Sequence, residues 1–496
     1  MNSRKWSGRC APRARSAASS VTPPGAHGGR RGVTALFALS VLTACGGGGG
    51  GGNGGGVIGP PAPPPGPLAF GPAVTLAANP ASVTAPAAAI DGNGVAAVLW
   101  SQVGLVPVAG QPALANPYVA ARENAAATWA ATQLIETAAA GDAATDQTVH
   151  LQATAPAVGI SAAWLRVPAG ASNDRVRATR RESANGWSFG NATAASTVAR
   201  SELAFASNDA GVQALAWVEP VGGVPQVQLR VRRIGAGAFD WTAPALPVQT
   251  ATTVAGGQPA LAVDSAGRVI IVWRQGTTPG QLRSRTYDVP GATYSNELGV
   301  ASSLSDERNP RVIAVAANRY LVVWEQVANS VYDLRGKEGT LVAWTNLSSP
   351  VELRAEGVAG AQLLAGPNAT ALALWQQADT LFASRWTGAT GNWTQAVQIG
   401  TGLSGVARDL RAAGDASGNA IAVWTQRVGS ANADLVYATV TGATPVVSAA
   451  ALVEVEPGTV AAPAVGMAPG GAAVIAWLQT ISGQANPDVI ARVFRP

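Results

Sequence analysis

Cysteine and histidine are almost missing from this chain, at two each in 496 residues. Cys10 and His27 lie before residue 45, so beyond the first 44 residues only Cys45 and His150 remain. No disulfide can form within that part. The inventory also leaves nothing for a histidine-rich zinc site, a Cys–His nucleophile pair or a Ser–His–Asp triad, and no cofactor is expected. Charge is scarce as well, at 12% of residues, and the overall balance of +5 misleads. Seven basic residues and no acid fall in residues 1–44, so the remaining 26 basic residues face 28 acidic ones. A net charge of −2 offers no basic excess for phosphate, which excludes nucleic acid as a partner.

Long apolar runs are absent too. The apolar stretch at residues 33–42 is too short for a permanent membrane span and of the right length for a signal-peptide core. It ends in Leu42-Thr43-Ala44-Cys45. This resembles the lipobox of bacterial lipoproteins, in which the cysteine thiol takes a diacylglyceryl group before cleavage. The basic region before it is long enough for translation to start downstream of Met1. Residues 46–56 are glycine except Asn53, and a proline-rich stretch runs to Pro67. The glycines reach roughly 18 Å as a random coil, and the prolines extend about 3.1 Å each. The expected organisation is a leader at 1–44, a tether at 45–67 and a folded unit at 68–496. The lipobox resemblance implies a lipid anchor at Cys45 in a bacterial cell envelope, and Gly46 after it implies the outer membrane.

What is abundant is tryptophan at regular intervals. Trp100, Trp164, Trp217, Trp273, Trp324, Trp375, Trp424 and Trp477 are separated by 64, 53, 56, 51, 51, 49 and 53 residues. A period of this size marks units that must stack on their neighbours to bury their apolar faces. The clearest copy runs from Pro259 to Gln275 and reads as strand, tight turn, strand. Asp264 and Gly267 bracket the turn, the first as an acceptor of backbone hydrogen bonds and the second for positive φ. Gly94, Gly211, Gly418 and Gly471 recur in register with Gly267, and Asn318 takes that place in the fifth copy. The second and sixth copies lack the signature. A third strand with exposed arginines follows, and aromatics such as Trp187, Trp241, Tyr294, Trp344 and Trp393 mark a fourth.

Four antiparallel strands per unit of this length predict an all-β fold, a β-propeller of eight four-stranded blades, or seven if the Trp164 copy is irregular. Fourth-strand aromatics stand 30–35 residues before the next tryptophan, and Phe70 stands 30 before Trp100. The segment at Phe70 therefore reads as a fourth strand without its first three, while the last copy stops after its third. An N-terminal strand that completes the last blade would close the ring and remove its edges.

Candidate site residues come from two patterns. A glutamine follows most of the tryptophans by two residues, as Gln275, Gln326 and Gln426, and also Gln102, Gln377 and Gln479. These amides either satisfy backbone groups nearby or ring a pocket mouth suited to sugars or peptides. Arg308 and Arg311 stand 16 and 13 residues before Trp324, and Arg408 and Arg411 stand at the same offsets before Trp424. Either they form an anion site of guanidinium forks converging over the channel, or they pair with Asp306, Glu307 and Asp409 as solvated loop charges. His150 reads as a solvated residue in a connection.

The region from Phe70 onward resembles bacterial surface β-propellers with Asp-x-x-Gly…Trp blades. Its spacing differs from the Asp-box of sialidases. In architecture and anchoring only, it is similar to the eight-bladed lipoprotein subunit of the outer-membrane β-barrel assembly machinery. The first expectation is thus a monomeric, non-catalytic binding or scaffold lipoprotein that engages protein or glycan through the propeller face. The alternative is a carbohydrate-active hydrolase or lyase with an acidic pair in the channel, for which Glu307, Glu356 and Asp409 are candidates without a motif that pairs them.

Overall fold

A computed structural model of the chain describes residues 69–495, except position 81 and segments 104–114, 123–127, 136–144, 154–158, 168–174, 183–185, 192–199, 235–240, 243–244, 302–304, 329–330, 348–350, 353–356, 429–431 and 455. The leader, Cys45, the tether and Glu356 lie outside the described residues. Every regular element among those residues is a β-strand. They form eight antiparallel sheets of four or five strands.

One order recurs. In the Trp273 sheet, Gly256–Val263 pairs with Arg268–Gln275, which pairs with Gln281–Asp288, which pairs in turn with Thr293–Tyr294 and Leu298–Ala301. Its second strand is buried over five consecutive residues, Val269 to Trp273, because neighbours cover both faces. The Trp164 copy, degenerate in sequence, still builds a four-stranded sheet. His150 lies within its strand Thr145–Ala153, opposite Ala163, and not in a connection as expected.

The turns follow their side chains. Asp264 Oδ1 accepts from the N–H of Ala266 at 2.9 Å and of Arg268 at 2.8 Å, while Gly267 takes φ 84°. Asp91, Asn208 and Asp415 do the same in their sheets. The sixth copy replaces the motif with Asn368 and Ala369, both at φ 53°, the left-handed pair of a tight hairpin turn.

Each tryptophan packs on the preceding sheet. Trp273 lies among Val212, Ala214 and Ala216 of the Trp217 sheet, and Trp424 among Leu372 and Leu374 of the Trp375 sheet. Trp100 lies among Val474 and Ala476 of the Trp477 sheet, so the last sheet precedes the first. The first strands touch in the same cyclic order. Six of the eight tryptophans are at most 1% exposed, and Trp164 and Trp324 are at most 4% exposed. An indole carries the largest apolar surface available to such an interface.

The last sheet takes its outer strands from the start of the described chain. Ala69–Phe70 and Val74–Ala77 both pair with Asp488–Arg495, with Phe70 opposite Phe494. Arg492 Nε donates to the Gly71 carbonyl at 2.7 Å, and the Asn79 N–H donates to Asp488 Oδ1 at 2.7 Å.

Third-strand arginines expected to be exposed, Arg232 and Arg285 among them, are not. Arg232 is buried, stacks over Trp241 at 4.6 Å and donates from Nε to Gln213 at 2.7 Å. Arg285 lies over Tyr294 at 4.2 Å and donates from Nε to the Ser295 carbonyl at 2.9 Å. A long stem on an aromatic face, with the fork on an acceptor of the same sheet, fixes the third strand in place.

Candidate functional site at the bulge end of the channel

The first strands follow one another around a common cavity. A cavity of about 800 Å³ is lined by residues from six of the eight sheets, among them Ile90, Asn208, Ser265, Ala365, Asp415 and Pro469. It opens at the end where the Asp-x-x-Gly turns lie. The opposite end is built from a feature that repeats as regularly as the turns.

Near their starts, six first strands carry a β-bulge whose central residue is left-handed. These residues are Glu202 (φ 55°), Gln258 (50°), Asn309 (51°), Gly360 (63°), Asp409 (55°) and Ala462 (50°). Each stands 15 residues before the tryptophan of its sheet. A non-glycine residue held there costs about 1–2 kcal/mol, and such strain persists only where its surroundings impose it. Here the surroundings are the neighbouring bulges. Glu202 Oε2 accepts from the Gln258 N–H, and Gln258 Oε1 accepts from the Asn309 N–H at 2.8 Å. Asn309 Nδ2 then donates to buried Glu325 at 2.8 Å. A bulge releases a backbone N–H from the ladder, and the preceding sheet's side chain takes it up.

Two carboxylates stand in this ring of bulges, Glu202 and Asp409, and both are exposed. Asp409 Oδ2 accepts from the Thr425 hydroxyl at 3.2 Å. Their sheets are four apart in the cyclic order of contacts, counted either way.

The structure separates the four predicted arginines. Arg311 and Arg411 follow the bulge and occupy the same ladder position. Each donates from Nη1 to the carbonyl just before it, Pro310 at 3.0 Å and Leu410 at 2.9 Å. Burial, together with the positive charge of Arg411, lowers the pKa of the Arg311 guanidinium, against the pull of Glu325. Arg311 is nevertheless solvent-exposed. Arg308 and Arg408 precede the bulge and turn away. Arg308 lies over Tyr332 at 3.4 Å and pairs with Glu325 at 3.4 Å, and Arg408 pairs with Asp379 at 2.7 Å. The expectation that all four converge fails, because Arg308 and Arg408 turn to Glu325 and Asp379.

The counter-charges are engaged elsewhere. Asp306 pairs with Arg274 at 2.6 Å, and buried Glu307 accepts from the Leu282 N–H at 3.1 Å. The amide ring is corrected as well. Gln426 Oε1 accepts from Trp424 Nε1 at 2.9 Å, and its Nε2 donates to the Ser404 carbonyl at 2.9 Å. Gln102 and Gln479 accept from their own tryptophans in the same way, and Glu219 replaces the amide in the Trp217 sheet. Gln275 is buried, and Gln326, half-buried, pairs with Glu307 in the ladder. A buried indole N–H needs an acceptor, and the residue two positions on along a strand shares its face.

No family model and no curated protein matches the chain. Among solved structures, it is similar to an ulvan lyase of polysaccharide lyase family 25 (9% identity, 76% of this chain and 94% of that one, TM-score 0.42). It is also similar to the intramolecular trans-sialidase of Ruminococcus gnavus (11%, 83% and 95%, TM-score 0.38) and to the α-L-arabinanase of Penicillium chrysogenum (13%, 62% and 94%, TM-score 0.34). These are glycan-active enzymes, whereas the sequence pointed first to a non-catalytic binding or scaffold protein. That first expectation is set aside. The carbohydrate-active alternative is taken forward on the residues at the channel mouth.

Proposed function

We propose that the eight sheets are the blades of a closed eight-bladed β-propeller, and that its bulge end is the active face of a carbohydrate-active hydrolase or lyase. The cyclic packing of each tryptophan on the preceding sheet supports the ring. The observation that carries the activity is the placement of Glu202 and Asp409, exposed carboxylates at one structural position on sheets four apart in the cyclic order, which the closed ring sets on opposite sides of its channel. Two carboxylates across a sugar chain suit either chemistry. In hydrolysis one protonates the leaving oxygen while the other activates water, and in elimination one removes the proton beside a sugar carboxylate.

The protein is further proposed to be a lipoprotein of the bacterial outer membrane, held at Cys45 and spaced from the bilayer by the tether of residues 45–67. Replacing Cys45 with Ser is expected to abolish fatty-acid labelling, and unchanged labelling would rule out the anchor.

Activity is tested by incubating the full chain with a panel of neutral and acidic polysaccharides. New reducing ends mark hydrolysis, and reducing ends with the ultraviolet absorbance of an unsaturated uronate mark elimination. Glu202→Gln and Asp409→Asn are each expected to lower turnover by at least about 10²-fold without loss of fold. Turnover undiminished in both variants would refute the assignment.

A further inference from the structure

Arg311 and Arg411 sit on first strands two sheets apart, and Gln362 occupies the same ladder position on the sheet between them. All three side chains curl back in one manner. Gln362 Nε2 donates to the Gly360 and Ala361 carbonyls at 3.2 and 3.3 Å, as the arginines donate to the carbonyls before them. For each guanidinium this uses one nitrogen and leaves the rest of the fork directed elsewhere. Neither arginine forms an ion pair with a carboxylate among the described residues, in contrast to Arg308 and Arg408. The corresponding positions on the two preceding sheets and on the one that follows are Ala204, Ala260 and Ala464. One arc of the channel is thus cationic, and the flanking positions are small enough to leave room.

We infer that Arg311 and Arg411, with Gln362 between them, form a subsite for the carboxylate of an acidic sugar. The inference deepens the carbohydrate-active reading and rests on it for the ligand being a glycan. Planar forks in a channel match a planar carboxylate. The two guanidiniums are close enough to influence each other, and an anion between them would relieve that repulsion. Asp409, two residues before Arg411, would then meet a sugar held by its own charged group.

The test is binding of the full chain to oligouronates from pectate, alginate and hyaluronan, each compared with its carboxyl-reduced neutral counterpart, with a sulfated neutral oligosaccharide as a further arm. At least one uronate is expected to bind about tenfold or more tightly than its neutral counterpart. That preference should shrink with salt and vanish in Arg311→Gln/Arg411→Gln. It should survive in Arg408→Ala, whose arginine is tied to Asp379. Should the double variant fail to fold, Arg311→Lys/Arg411→Lys keeps the charge without the fork and should lose most of the preference. Equal binding of every uronate and its neutral counterpart would overturn the subsite, as would a preference confined to sulfate. Uronate binding without turnover would leave the subsite standing and refute the catalytic reading alone.

Discussion

Gln258 Oε1 accepts a hydrogen bond from the backbone N–H of Asn309 at 2.8 Å, so one left-handed bulge is fastened to the next sheet's bulge by a side chain. Two opposing effects meet at Gln258. The bond is worth about 0.5–1.5 kcal/mol, and the left-handed conformation costs about 1–2 kcal/mol. Gln258→Ala loses the bond and keeps the strain, so it should lower unfolding stability by about 1 kcal/mol. Gln258→Gly loses both and should be milder than the alanine variant. Chemical denaturation of the two variants checks the order, and the reverse order would mean that the backbone there is not strained.

The pairing of Ala69–Phe70 and Val74–Ala77 with Asp488–Arg495 predicts a terminal effect. Deleting residues 68–78 removes both strands and the Gly71 carbonyl that Arg492 engages. The unfolding midpoint should fall markedly, with binding of a hydrophobic dye to the uncovered last sheet. Deleting residues 46–56 should leave the midpoint unchanged. Thermal unfolding of the two deletions separates a latched ring from an open array.

Burial pushes the Glu454 carboxyl up to about 7, with Asp434 adding to the effect and the hydrogen bond from the Leu435 N–H opposing it. In the folded state the group therefore holds its proton between about 4.5 and 7, where the unfolded chain has released it. Its contribution to stability is full below about 4.5 and is lost as the pH rises through about 7. Gln249 makes the equivalent bond to the Val227 N–H with a neutral amide. Glu454→Gln should accordingly gain about 1–3 kcal/mol at pH 8 and flatten the pH dependence across this window. Stability measured from pH 5 to 8 is the check, and parallel curves for the two proteins would contradict the shift.

How much of this could be read in the sequence depends on how local each signal is. The Asp264 to Gly267 turn depends on residues a few positions apart and the tryptophan column on a repeat of 49–64 residues, and the structure keeps both. The pairing at Phe70 was legible because its spacing to Trp100 matches that of the other copies. For Gln426 the structure keeps the reading in which the amide serves nearby groups, the Ser404 carbonyl and also Trp424, two residues away on the same strand face. The indole N–H was the overlooked demand. The bulges were not legible, because Glu202, Gln258, Asn309, Gly360, Asp409 and Ala462 share no chemistry. What they share is a left-handed backbone and a neighbour on another sheet, both set by tertiary packing. The same bulge separates Arg308 from Arg311, which equal spacing from a tryptophan could not reveal.

The most direct test of the account is the structure of the full-length Glu202→Gln variant with an oligouronate from the panel. The expected result is sugar at the bulge end of the channel, with a glycosidic bond between position 202 and Asp409 and a carboxylate between Arg311 and Arg411. Sugar bound instead in the cavity at the turn end, beside Asn208 and Asp415, or only on the outer strands of the sheets, would contradict it.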